Sequence, residues 1–115
     1  MNANEFQSLA ARTLIDRPGF EIPDVEIMAV WDALGLAGEA GEVADLVKKG
    51  IFHRHGLDLP KLEEELGDIL WYIAALCTTL GLDLSAIMWA NIEKLKVRYP
   101  NGFTSEDSLR RVDQD

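Results

Sequence analysis

Apolar residues recur every three or four positions through four separate stretches of the chain, and glycine or proline stands at each break between them. That spacing gives each stretch one apolar face as a helix, and no stretch shows the alternation between turn residues that a strand needs. The expected fold is all-α, a four-helix bundle-like packing of antiparallel helices over residues 1–103, with a polar tail over 104–115. A chain of 115 residues can bury a core of its own, and helices in so small a bundle can bury more surface against another copy.

The first helix is expected from Asn4, as N-cap, to Ile15, with Arg17-Pro18-Gly19 ending it. The second runs from Asp24 to Lys49 with Ile27, Val30, Trp31, Leu34, Gly38 and Gly41 on one stripe; Lys48 and Lys49 in the last turn, then Gly50, make its C-terminus. A connector over Ile51–Asp58 leads to the third, where Asp58 or a neighbour caps, Pro60 sits in the first turn, Leu62, Leu66, Ile69, Ile73, Leu76 and Leu80 form the core face, and Gly81 stops it. The fourth spans Ser85 to Arg98 and ends at Pro100-Asn101-Gly102. Beyond it two outcomes stay open: one short turn capped by Thr104 with Asp107, or a loosely docked tail.

Charge narrows the partners. A formal net charge of -9 repels polyanions and argues against nucleic acid held through phosphate contacts. The lone Cys77 lies in an apolar run, where it packs as a small hydrophobe, and a reducing cytoplasm fits. The amino terminus lacks a basic region followed by an apolar segment, and Ile69–Leu80 is too short to span a bilayer, so neither secretion nor a membrane role is expected.

The chemistry lies in two acidic pairs. On a helix, residues three apart stand about 60° around the axis and about 4.5 Å along it, so both can reach one ion. Glu39 and Glu42 form such a pair in the second helix, and Glu65 and Asp68 form another in the third. An antiparallel return brings the pairs face to face. Carboxylates gathered so closely repel by roughly 1 to 4 kcal/mol per close pair, depending on the local dielectric, so a cation should sit among them. Oxygen-only ligands without His or Cys favour Mg²⁺ or Mn²⁺ over Zn²⁺.

Glycines beside these pairs have two explanations. Gly35, Gly38, Gly41 and Gly67 each weaken a helix interior by roughly 0.5 to 1 kcal/mol relative to Ala, and either permit close helix crossing or leave room for a ligand. On the fourth helix Asn91, Lys94 and Arg98 share a face and offer a directional donor, a point charge and a bidentate fork, the mixture that suits a metal-bridged polyphosphate.

These motifs bring a family into view. Gly38-Glu39-Ala40-Gly41-Glu42-Val43, Glu64-Glu65-Leu66-Gly67-Asp68-Ile69-Leu70 and the run Asn91 to Phe103 resemble the all-α nucleoside triphosphate pyrophosphatases of the MazG type, over about Glu5 to Phe103. The resemblance implies that Glu39, Glu42, Glu65 and Asp68 ligate Mg²⁺, with Mn²⁺ as a substitute, and that Asn91, Lys94, Arg98 and Tyr99 contact substrate. It further implies cleavage between the α- and β-phosphates, nucleotide-pool housecleaning, and a homodimer or homotetramer whose pocket draws on a second subunit. Glu39 is the candidate to orient or deprotonate the attacking water.

Other residues invite weaker readings. Trp31 and Trp71 suit core or interface packing better than base stacking; Trp71, nearer the acidic motif, is the better placed for substrate. His53-Arg54-His55 lacks the third ligand of a metal site and reads as solvent-facing, while Lys48, Lys49 and Arg54 are available to neutralise a triphosphate across a subunit boundary. A di-iron bundle would need Glu-x-x-His pairs, which are absent. A non-catalytic nucleotide-binding or regulatory module is the remaining rival.

Overall fold

The computed structural model describes residues 1–14 and 24–111, and among these the fold is all-α. Five helices follow one another: α1 (Ala3–Ala11), α2 (Asp24–Phe52), α3 (Leu59–Leu80), α4 (Leu84–Arg98) and α5 (Ser105–Arg110). The expected end of the first helix, at Ile15 and Arg17-Pro18-Gly19, lies outside the described residues. No single helix among them is long and apolar enough to cross a membrane.

Two compact units divide the chain, Met1–Leu82 and Asp83–Asp115. In the first, α2 runs against α3 along a long seam and α1 packs on α3. Polar side chains fasten α1: Gln7 Nε2 donates to the Leu82 carbonyl at 2.9 Å, and Trp71 Nε1 donates to Thr13 Oγ1 at 2.7 Å. In the second unit α5 folds back on α4, started by Thr104, whose hydroxyl accepts the Asp107 amide at 3.0 Å.

Local chemistry sets the helix ends. The N-cap of α1 is Asn2 rather than Asn4: Asn2 Oδ1 accepts the Glu5 amide at 2.9 Å and Glu5 Oε2 accepts the Asn2 amide at 3.4 Å. Glu stands three residues after Asn2, which makes this reciprocal pair possible. Asp58 caps α3 by accepting the Lys61 amide, and Gly81 closes it in the left-handed region at φ 69°, as its lack of a Cβ allows. Helix α4 starts one residue earlier than expected because Asp83 accepts the Ala86 amide at 3.0 Å.

Helix α2 continues past Gly50 to Phe52. Gly50 is buried, and a Cβ there would stand 2.8 Å from Leu57 Cδ2 and 3.0 Å from the Gly56 carbonyl oxygen. The connector folds back onto it, with the Gly56 amide donating to the Gly50 carbonyl at 3.1 Å. Gly50 is thus where the connector packs, and the helix stops only after it.

Helix α2 meets α3 by a different side from the one its apolar stripe suggests. The apolar stripe of Val30, Trp31 and Leu34 faces outward, with Leu34 69% exposed, and Gly38 and Gly41 have open space where a Cβ would stand. Met28 and Asp32 are the α2 side chains that are buried, and Gly35 and Glu39 follow them at helical spacing on the same side. On α3, Ala74, Ala75 and Cys77 are buried, whereas Leu66 and Leu80 of the expected core face are exposed. The seam therefore takes up small and polar residues beside Met28 and the Tyr72 ring, while Val30, Trp31, Leu34, Leu66 and Leu80 are left outside.

Candidate metal centre

Midway along the seam, Glu39 of α2 meets Glu65 and Asp68 of α3, and each offers a carboxylate oxygen within 4.8 Å of the other two. Glu65 is 8% exposed; Glu39 and Asp68 are half-buried. Helix spacing puts Glu65 and Asp68 side by side on α3, and the antiparallel return of α2 supplies Glu39. Glu42, one turn further along α2, is exposed and stands outside this group of three, though its charge acts on Glu39.

The electrostatics show a site short of positive charge. Glu39 has its pKa pushed up to about 7, first by the hydrogen bond with Glu65, then by burial and by the charges of Glu65, Asp68 and Glu42. Glu65 is held below the usual carboxylate range by that same hydrogen bond and by Lys61, whose Nζ stands 3.2 Å from Glu65 Oε1. Below about pH 7 a proton on Glu39 thus joins two acids whose ionised forms repel at this distance.

A hard cation fits these residues. Glu39 Oε2 is buried and has no hydrogen-bond partner, a condition that a buried polar atom meets only at a cost. Mg²⁺ holds its oxygen ligands at about 2.0 to 2.1 Å, so three carboxylate oxygens already within 4.8 Å of one another would hold one by drawing together. Oxygen ligands alone favour Mg²⁺ or Mn²⁺.

Next to this centre lies a feature that sequence reading passed over. Tyr72, one turn after Asp68, lays its ring on the backbone of Gly35, one turn before Glu39; a Cβ at Gly35 would overlap the ring. Trp31, Leu34, Gly35 and Tyr72 bound a shallow hollow of about 340 Å³ there. Two turns before Glu39, Asp32 is wholly buried and accepts a hydrogen bond from Thr79 Oγ1 at 2.8 Å. Burial pushes the Asp32 carboxyl up, and the Thr79 hydroxyl offsets part of that. The available signal was spacing: Asp32 precedes Glu39 by two turns and so shares its face.

The other candidates take up varied positions. Trp71 spends its indole N–H on Thr13 and meets Tyr72 edge to face, with ring centroids 5.0 Å apart. Asn91 and Lys94 are exposed on α4 and Arg98 is half-buried at its end; the Arg98 guanidinium lies 5.9 Å from the Tyr99 ring centre, and Tyr99 packs on Phe103. Lys48 and Lys49 pair with Asp45 of their own helix at 3.4 and 2.8 Å. His53 and His55 are exposed and meet edge to face.

The helices and the acid-lined seam between two of them define an all-α domain. Sequence comparison narrows it: the MazG nucleotide pyrophosphohydrolase domain matches residues 33–103, and the chain belongs to that family. It is also similar to the gene 37 protein of Mycobacterium phage L5, 33% identical over 106 residues that cover 89% of this chain and 92% of the phage protein. No solved structure matches.

Proposed function

We infer that the chain hydrolyses ribo- or deoxynucleoside triphosphates to the nucleoside monophosphate and pyrophosphate with Mg²⁺, or Mn²⁺ in its place, and so serves nucleotide-pool housecleaning in the cytoplasm. Family membership supports this; the observation that carries it is the three converging carboxylates with a buried, unpartnered oxygen on Glu39. When bound, the divalent ion neutralises phosphate oxygens and makes water a better nucleophile.

Within this reading Glu39, Glu42, Glu65 and Asp68 hold the ion. Glu39 orients the water and accepts its proton as the water oxygen bonds to phosphorus, the bridging P–O bond breaks, and pyrophosphate leaves with the electron pair. Asn91, Lys94, Arg98 and Tyr99 bind the polyphosphate through donors and charge. The apolar hollow between Trp31 and Tyr72 is one turn from the carboxylates, close enough to take a base face, and Trp71, edge to face with Tyr72, joins the substrate-binding residues. The net charge of -9 suits a small metal-bridged anion better than nucleic acid. Exposed Val30, Leu34, Leu66 and Leu70 suit assembly as a homodimer or homotetramer, since so much apolar surface is seldom left in water.

The test incubates pure protein with a panel of nucleoside triphosphates and Mg²⁺ and resolves the products. Monophosphate with pyrophosphate, abolished by EDTA, is expected. Diphosphate with orthophosphate would overturn the cleavage position, and tight nucleotide binding without turnover would establish the non-catalytic module instead.

A further inference from the structure

The seam of α2 and α3 has a mechanical difficulty. At its centre Glu39, Glu65 and Asp68 crowd within 4.8 Å of one another, and with all three ionised and no cation among them their repulsion favours any slip or splay that separates them. The Tyr72 ring seated on Gly35 opposes such a slip, whereas the fully buried Ala75 adds little interlocking, because small side chains lack the ridges that resist sliding. A slip of one turn moves a side chain by about 5.4 Å, more than the whole span of the cluster.

Against this stands a buried polar pair that stability alone does not explain. Asp32 is 0% exposed; one oxygen takes the Thr79 hydroxyl at 2.8 Å and the other, Oδ1, is buried without a partner. An apolar residue of similar volume would avoid that desolvation and often makes a core more stable. Buried polar pairs are best attested as register devices, satisfied in one alignment and broken in its neighbours. Asp32 and Thr79 are on opposite sides of the seam, two turns of α2 from Glu39 and three of α3 from Asp68, far enough to act on alignment without touching the ion.

We propose that the Asp32–Thr79 hydrogen bond is a register lock that holds Glu39 opposite Glu65 and Asp68, which makes Asp32 a positioning residue for the metal centre and not one of its ligands. The lock has this purpose only if the seam holds a divalent cation, as inferred above.

Mn²⁺ affinity, read from the free-ion electron paramagnetic resonance signal on the full chain, tests it alongside thermal melting. D32L and T79V should weaken Mn²⁺ binding tenfold or more, D32L without a lower melting temperature, and the double variant should be no weaker than either single one. T79S and D32N, which keep a hydroxyl donor and an oxygen acceptor, should stay within threefold of the parent. A folded T79V that binds within threefold of the parent overturns the lock, as does a loss in T79S equal to that in T79V. Should D32L fail to fold, T79V decides, since it removes a hydroxyl at equal volume. A parent chain that binds no Mn²⁺ refutes the metal centre itself, an outcome distinct from a binding parent and an unaffected T79V.

Discussion

Glu39 of α2 and Glu65 of α3 hydrogen-bond to each other across the helix seam, so two carboxyl groups share what one proton or one cation must neutralise. Glu39 carries the raised value, about 7, and Glu65 the lowered one. The bond between them sets most of the asymmetry, and Lys61, its Nζ 3.2 Å from Glu65 Oε1, adds to it.

The first consequence is a pH-dependent metal affinity. A cation must displace the proton of Glu39, so Mg²⁺ binding should weaken as pH falls through about 7, by up to tenfold per unit below it. Without metal the sign for stability is the reverse: an acid whose folded pKa is raised stabilises the fold while protonated, a contribution that is full below about 4.5 and lost by the time pH has risen to about 7. Melting temperatures with and without Mg²⁺ should therefore diverge as pH rises from about 5 to about 7 and hold a constant gap above it. E39Q should remove the divergence.

Loss of a ligand should stop turnover and spare the fold. D68A and E42A are each expected to lower the hydrolysis rate at least ~100-fold, because several kcal/mol of charge stabilisation goes with the ion. Their far-UV circular dichroism should stay helical, since removing one charge from a repelling cluster relieves strain. Full Mg²⁺-dependent activity in either variant would remove that residue from the site.

Gly35 should be intolerant of side chains in a way that its neighbours are not. A Cβ there overlaps the Tyr72 ring, whereas Gly38 and Gly41 face open space. G35V is expected to lose about 1 to 3 kcal/mol of stability, the range for overpacking a tight contact. G38A and G41A should be neutral or slightly stabilising in the single chain, because Ala is the better helix former. If either instead disrupts assembly, the open space belongs to a partner helix.

The exposed apolar side of α2 and α3 should be covered in solution. Sedimentation velocity of the purified chain is expected to give the mass of a dimer or tetramer. L34E with L70E, both at exposed positions, should shift the population toward monomer. A monomeric parent at micromolar concentration would contradict the assembly.

Much of this protein is set by its sequence because the causes are local. Helical periodicity and capping residues such as Asp58 and Gly81 fix where α3 begins and ends within a few neighbouring residues. The three-residue spacing of Glu65 and Asp68 puts both on one face of α3 before any tertiary contact forms. Which residues of α2 oppose them was not legible in the same way. An apolar stripe through Val30, Trp31 and Leu34 is the usual signature of a core face, and nothing in one sequence separates a face buried within the chain from one available to another copy. Only the tertiary structure decided that Asp32, Gly35 and Glu39 take the seam, because that choice depends on the antiparallel register of two helices: Tyr72 fits against a backbone with no Cβ, Asp32 finds the Thr79 hydroxyl, and three like charges are brought together at a cost that only long-range packing can impose.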